Sequence, residues 1–544
     1  HLLSRRQRQM CIRDSIYIAL IGTAFLLGSC DDFLNTMPDN RAEIDTEAKV
    51  TSILVSAYPN KTPVLMMEYS SDNVVDHGPQ YSVNYKDQEE IYLWSDITSD
   101  GNDDPRYMWQ THYSAIAAAN QAIQAIYDLG DPASLAPQKA EALMCRAYAH
   151  FVLANVFCLP YNPETADKDM GIPYSEKPET QVIVKYERGT MAELYEKINA
   201  DIEAALPYIS DDVYTVPKYH FNKKAAYAFA TRFNLFYVKP DKSNYQKVVE
   251  YATQVLGSNP DRALRQMTNY IPLGAGDVTN AYVQASENCN LLIIPAYSAA
   301  GRIGSGSGPR YNHGREITTY ETYWAKGPWG SSGSSSFLIL GRKLYGSNQT
   351  VRFPKLDEFW EYTDKTSGTG FAHIVFVPFT TNETLLCRAE AYTFLEKYEE
   401  AAADLNSWQV TNCLSSYVDD DGMTHTLQTL TRESINKFWN DIKYCPIPSM
   451  ADGGSDRTIK KELHPQGFTV ASGEQENFIQ CVLHMRRIET MHDGQRWCDI
   501  KRYGIEVAHN RYGLATDILK VGDLRRAIQL PSDVIDAGLA ANPR

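Results

Sequence analysis

The stretch from Asn382 to Gln409, NETLLCRAEAYTFLEKYEEAAADLNSWQ, constrains the fold more than any other part of the chain. It predicts two short helices facing each other. Leu385, Ala389 and Tyr392 fall four and three residues apart, which puts them on one helical face. Tyr398, Ala401, Ala402, Leu405 and Trp408 make the next stripe at helical spacing. Small alanines at the crossing let two helices approach closely, and large aromatics fill the space beside them. One such hairpin cannot bury its apolar face alone, so other parts of the chain must supply neighbours.

Helical spacing recurs upstream. Gln110 to Asp128 carries Ile116, Ala119, Ile123 and Ile126, and Ala136 to Phe157 carries Ala140, Leu143, Ala147, Phe151 and Ala154. Pro160 and the Gly171-Ile172-Pro173 turn end that pair. Thr190 to Leu206 carries Leu194, Ile198 and Ile202, with Thr190 and Glu193 at the spacing of a capping box. Asn222 to Val238 and Tyr245 to Leu256 follow. The pairs resemble tetratricopeptide units, but their spacing is irregular. The expected class is mainly α: tetratricopeptide-like helical hairpins forming a scaffold, with long loop-rich insertions and a few short strands. The alternative is a lone antiparallel hairpin inside some other helical fold, and the recurring pairs argue against it.

The main insertion runs from about 264 to 373, where helical periodicity fails and glycine, serine, tyrosine and tryptophan accumulate. Leu291 to Pro295 and Ile374 to Val377 are short apolar runs that predict strands. A stretch this long without regular periodicity inside a folded body is usually functional. A shorter excursion, Tyr69 to Tyr107, contains Trp94 and the cluster Asp96, Asp100, Asp103 and Asp104.

The amino terminus reads as an export signal. Arg5, Arg6, Arg8 and Arg13 precede an apolar run from Ile16 to Leu27, and Gly28, Ser29 and Cys30 follow. The run is too short to span a bilayer. Leu27-Gly28-Ser29-Cys30 resembles a bacterial lipobox, which implies acylation of Cys30 as the first mature residue. The expected division is a signal peptide over 1–29, an anchor linker over 30–41 and a body over 42–544. The first fifteen residues lack an initiating Met and read as an aberrant leader, with Met10 a candidate start. Cys145, Cys158, Cys387, Cys481 and Cys498 fall on predicted helices, where a lone cysteine is a small buried apolar residue. The cysteine spacing predicts no disulfide and contains no CxxC pair for zinc.

The formal net charge of −15 argues against nucleic-acid binding, which needs a positive surface. No HExxH, GxSxG or Walker motif is present. His484 and His492, eight apart, read as structural or surface residues. Asp419-Asp420-Asp421-Gly422 lacks the alternating ligands and distal Glu of a calcium loop and reads as a solvated turn, so structural calcium is unsupported. No cofactor is expected beyond the N-terminal lipid.

Several ordered motifs resemble the SusD/RagB family of Bacteroidetes outer-membrane lipoproteins. These are Cys30-Asp31-Asp32-Phe33-Leu34 after the lipobox, Arg146-Ala147-Tyr148-Ala149-His150-Phe151, Tyr186-Glu187-Arg188 leading to Tyr195 and Asp201, and Asn222-Lys223-Lys224-Ala225-Ala226. Arg486-Arg487-Ile488-Glu489 with Gly494-Gln495-Arg496-Trp497 completes the set, and the final Ile528 to Pro531 matches only in part. The resemblance implies a lipid-anchored, surface-facing protein that captures an oligosaccharide without chemistry. It also implies delivery to a TonB-dependent, SusC-like barrel. Oligopeptide capture by the same kind of importer, or a surface protein-interaction scaffold, are the alternatives.

Sugar rings present flat C–H faces, so a glycan site pairs aromatic platforms with amide or carboxylate groups. Trp94 with nearby Asn102 is the first candidate pair. Asp72 falls where the resemblance implies a ligand-facing loop. The insertion adds Tyr311, Tyr320, Tyr323, Trp324 and Trp329. Trp109 and Trp497 read as core, and Arg486, Arg487, Glu489, Arg496 and Asp499 as buried ion pairs.

Overall fold

A computed structural model describes residues 44–81, 86–99, 101–179, 185–301, 309–330, 337–339, 344–345, 350–447 and 456–544. The expected signal, Cys30 and the linker lie outside the described residues, as does Asp100. No helix among the described residues is long and apolar enough to cross a membrane.

Helices α1 (Glu47–Leu54), α2 (Val64–Ser70) and α3 (Lys86–Tyr92) lead into the long pair α4 (Pro105–Asp128) and α5 (Ala136–Phe157). Helix α4 starts five residues earlier than its apolar stripe predicts. The Asp104 carboxylate accepts from the Tyr107 N–H at 2.9 Å, and Pro105 occupies the first turn where its missing N–H costs nothing. Helix α6 (Met191–Ala205) has the expected capping box, with Thr190 and Glu193 each bonding the other's backbone. Helices α7 (Lys223–Phe236) and α8 (Ser243–Leu256) form the next hairpin, and α11 (Thr381–Phe394) with α12 (Tyr398–Asn412) the one first read from sequence. Between them the insertion contains α9 (Ala275–Tyr282) and α10 (Arg315–Tyr320), two short helices that its periodicity did not predict. Helices α13 (Arg432–Asp441), α14 (Glu474–Glu489), α15 (Gln495–Arg502) and α16 (Ser532–Asp536) follow.

Successive helices pack in series: α4 on α5, α5 on α6, α7 on α8, α8 on α11, α11 on α12, and α14 on both α11 and α13. The alanines explain how closely they approach, since Ala389, Ala401 and Ala402 are buried at the α11–α12 crossing beside Leu405 and Trp408. Buried arginine–carboxylate pairs fix the register between helices. Arg146 on α5 forks onto Asp201 of α6 at 2.7 and 2.6 Å, and Arg388 on α11 onto Asp404 of α12 at 2.8 and 2.7 Å. Arg232 of α7 reaches Glu383 of α11 at 3.1 Å. Such pairs specify how helices meet more than they add net stability. The eight cysteines among the described residues are all buried and unpaired, and for Cys145, Cys158, Cys387, Cys481 and Cys498 this is the small-hydrophobe role expected.

The strands are short and scattered, with one exception. β1 (Val75–Asp76) pairs with β3 (Tyr311–Asn312), which ties the first excursion to the insertion. β2 (Asn290–Ala296) lies in a three-stranded antiparallel sheet with β6 (Phe359–Asp364) and β7 (Thr369–Thr380), in the order β2-β7-β6. The remaining hairpins are β4–β5 (Leu344–Tyr345, Val351–Arg352), β8–β9 (Ser416–Val418, Thr424–Thr426) and β10–β11 (Val507–Arg511, Leu514–Leu519). β7 alternates: Ile374 and Phe376 are buried with Val64, Ala296 and Leu356, while Val375 and His373 face the other way. That second face forms the floor of the site.

Candidate functional site

Most of the residues singled out as ligand contacts are packed inside. Asp72 is buried, and Arg496 forks onto both its oxygens at 2.8 and 2.9 Å, with Arg487 3.4 Å away. Burial alone would raise its carboxyl, but the charges of Arg487 and Arg496 outweigh burial and hold it well below the usual carboxylate range. The loop turns inward because this pair draws it onto α15, so the ligand-facing expectation for Asp72 is corrected.

Trp94 is 5% exposed and donates from Nε1 to the Ser70 carbonyl at 2.9 Å. One face of its indole stacks on His509 at 4.1 Å, and the Arg525 guanidinium sits 5.5 Å from the ring. The platform role expected of Trp94 is therefore replaced by packing in a Tyr92–His509–Trp94 stack. Tyr311 packs on Tyr92 at 4.6 Å, Tyr323 meets the edge of His313, and Trp329 stacks on His484 at 5.5 Å; all three are buried. Tyr320 and Trp324 are half-buried, and Asn102 alone of the set is exposed. Aromatics in an insertion read from sequence as surface because no helical stripe absorbs them. Here they are the core of that insertion.

The structure instead opens a cleft of about 900 Å³ on the outward face of the β2-β7-β6 sheet. Ile293 and Pro295 of β2 and Val375 of β7 make the floor, and Phe359 of β6 closes one side. A segment running on from α1 supplies Tyr58 and Asn60, the turn before α7 supplies Tyr219 and His220, and the end of α9 supplies Asn280 and Gln284. Tyr219 is 51% exposed, so its ring is available to a ligand. Asn60, Asn280 and Gln284 are exposed amides around it.

The walls are braced from behind by one buried carboxylate, Glu141 of α5. Tyr58 donates to it at 2.6 Å, and His220 meets it through Nδ1 at 2.8 Å. The Tyr58 hydroxyl also accepts from the Phe221 N–H at 2.6 Å, and burial keeps that hydroxyl protonated by raising it well above the ordinary phenol range. Tyr214 stacks flat on His220 at 4.4 Å. Rings so held cost little further ordering when a ligand binds. Among the described residues lining the cleft there is no Asp, Glu, Lys or Arg. The described residues also contain no cluster of His, Cys, Asp and Glu suited to a metal. An apolar floor, standing rings and neutral amides are the chemistry that suits a neutral polyhydroxylated ligand.

Residues 32–235 match a SusD-like family model described as "Starch-binding associating with outer membrane". A SusD superfamily structure from Bacteroides thetaiotaomicron superposes with a TM-score of 0.58 at 18% identity, covering 91% of this chain and 98% of that one. A SusD-like carbohydrate binding protein from Bacteroides vulgatus gives 0.55 at 14% identity over 90% and 96% of the two chains. A SusD superfamily protein from Parabacteroides distasonis gives 0.56 at 13% identity over 91% and 98%. No curated protein sequence matches. Residues 32–235 thus match the SusD-like family model, and the body shares the fold of SusD superfamily structures. In this SusD-like body the helical hairpins are the scaffold, and the cleft lies where the sheet of the insertion meets α1, α7 and α9. Sequence reading missed Tyr219, Asn280, Gln284 and Phe359. Tyr219 had one usable signal, since it precedes the helix capped by Asn222 and belongs to no apolar stripe.

Proposed function

We propose that this SusD-like protein captures a neutral oligosaccharide in the sheet-floored cleft and hands it to a TonB-dependent, SusC-like barrel in the outer membrane. It acts from a lipid anchor on Cys30, facing the cell exterior, and performs no chemistry on its cargo. The observation that carries this reading is the cleft itself: exposed Tyr219, three amides and an apolar floor, with no charged side chain among the described lining residues. The family description "Starch-binding associating with outer membrane" and the carbohydrate-binding title of the Bacteroides vulgatus structure support it. Peptide capture is disfavoured because a peptide brings charged termini, and no charged side chain among the described lining residues meets them. The exposed Asn102, which accepts from Lys61, and the half-buried Tyr320 and Trp324 remain candidate contacts.

Calorimetric titration with neutral oligosaccharides tests the reading. Loss of one stacking ring in Tyr219→Ala should weaken binding by about tenfold. Undiminished affinity in that variant, or saturable binding of oligopeptides only, refutes it. Labelling with a radioactive fatty acid that depends on Cys30, and co-purification of a barrel, test anchoring and delivery.

A further inference from the structure

Arg352, the last residue of β5, stands apart from the other buried arginines. Arg146, Arg388 and Arg232 each sit on a carboxylate. Arg352 is 6% exposed, yet its Nε has no partner. Among the described residues the one carboxylate within 4 Å is Asp357, at 3.9 Å, beyond hydrogen-bond reach. Burial pulls the guanidinium below its ordinary range, with Asp357 opposing only in part. A buried charge left this way calls for an occupant.

The guanidinium borders a cavity of about 30 Å³ between α2, β3, β5 and the turn after α14. The Val351 N–H donates to the His313 carbonyl at 3.0 Å, which seats Arg352 beside β3. Two more groups line the cavity without a partner. Asn312, 4% exposed, has an unbonded Nδ2, while its Oδ1 takes the His313 N–H at 2.7 Å. His492 Nε2 is also unbonded, and its Nδ1 is 3.7 Å from Glu68 Oε1, too far to bond. Burial keeps that imidazole neutral, so either nitrogen can carry the proton. Glu68, the carboxylate on this wall, has its oxygens turned to N–H groups. Oε1 takes Asn73 Nδ2 and the His492 N–H, both at 3.1 Å, and Oε2 the Gly494 N–H at 3.2 Å.

The unfilled groups are therefore donors, and what suits them is an acceptor without protons. A water would accept their bonds, but its own protons would face Val64, Leu65 and Val74, and the guanidinium charge would stay unbalanced in a low-dielectric interior. The cavity has room for a monatomic ion and none for a sugar ring. We propose that Arg352, Asn312 and His492 form a buried halide site that takes chloride. The ion ties β3 and β5 of the insertion to the turn between α14 and α15, so it acts on stability and is independent of the cleft. Burial raises Glu68 to about 7, so in mild acid it is neutral and does not repel the ion. Of the groups around it, burial keeps Tyr69, Tyr323, His313 and His492 neutral, and Asp493 is paired with Lys355 at 2.7 Å.

Two measurements on the whole protein test the site. Crystals grown in sodium bromide, measured at the bromine absorption edge, should show an anomalous peak in the cavity, in contact with Arg352 Nε and Asn312 Nδ2. Tm should also be about 2 °C higher in sodium chloride than in sodium gluconate of equal ionic strength at about pH 6, the gain for roughly a hundredfold excess over the dissociation constant. Arg352→Met removes the charge that needs balancing, and Asn312→Asp puts a carboxylate in the ion's place. Both should lose the chloride gain, and neither should melt below the unmodified protein in gluconate. Equal Tm of the unmodified protein in the two salts, the same chloride gain in all three proteins, or ordered water without an anomalous peak overturns the site. None of these outcomes bears on the cleft.

Discussion

Asp72→Asn tests whether the loop expected to face a ligand is instead a structural anchor. The substitution keeps shape and removes charge. Of the Arg496 bonds of 2.8 and 2.9 Å, one survives on the amide oxygen, the other becomes two donors facing each other, and Arg487 loses a charge 3.4 Å away. Arg487 retains Glu321 at 3.0 Å, but Glu321 is already shared with Arg457 at 3.0 Å and Lys461 at 2.7 Å. Two buried carboxylates therefore face four buried cations, and losing one leaves Arg496 without a carboxylate within bonding distance. Removing one partner of a buried pair costs about 3–5 kcal/mol. Residues 46–544 form one compact unit, so at about 2.1 cal/mol/K per residue its unfolding entropy is roughly 1 kcal/mol/K. The expected fall in Tm is about 4 °C, read by scanning calorimetry. Asp72→Asn combined with Arg496→Met should recover much of the loss, because the cost lies in the stranded guanidinium rather than in attraction forgone. Affinity for a bound oligosaccharide at 25 °C should be unchanged. A Tm within 1 °C of the parent, together with weakened binding, would falsify the anchor role.

Trp94→Ala should lower Tm by a few degrees, since cutting a buried tryptophan to alanine costs about 3–5 kcal/mol, and should leave the affinity of the folded protein intact. Weakened binding at unchanged Tm returns Trp94 to the ligand site. Stability should also respond to mild acid. Burial raises Glu68 to about 7 and Asp103 to about 6, the former against bonds from the His492 and Gly494 N–H groups and Asn73, the latter against bonds from Ser298 and the Ala299 N–H. A raised carboxyl contributes stability that is complete below its unfolded pKa and is lost as pH rises through the folded value. Lowering pH from 8 to 5 should therefore raise Tm relative to a Glu68→Gln, Asp103→Asn double variant, and identical slopes in the two proteins refute the assignment. Below about pH 4.5 the sign reverses. Burial would raise Glu321 and Glu390, but cations hold both near 2: Lys461, Arg487 and Arg457 for the first, Arg502 and Arg486 for the second. Their contribution is lost as pH falls toward 2, and acid titration of Tm should show the descent.

The chain's own pattern determined the scaffold. Leu385, Ala389, Ala401 and Leu405 mark a helical face whatever surrounds them, because the 3.6-residue period is a local property. The Thr190–Glu193 box and the Asn222 cap likewise fix where α6 and α7 begin, through bonds that span three residues. The ordered motifs that resemble the family are equally local. Where an aromatic ring ends up is not. Trp94 and Trp329 are swallowed by partners about 415 and 155 positions away, His509 and His484, while Tyr219 is left standing because the sheet beneath it turns its floor outward. Asp72 looks like a loop carboxylate until Arg496 arrives from the other end of the chain. Burial depends on contacts between residues remote in sequence, so only the tertiary structure could decide which rings pack and which stay exposed in the cleft.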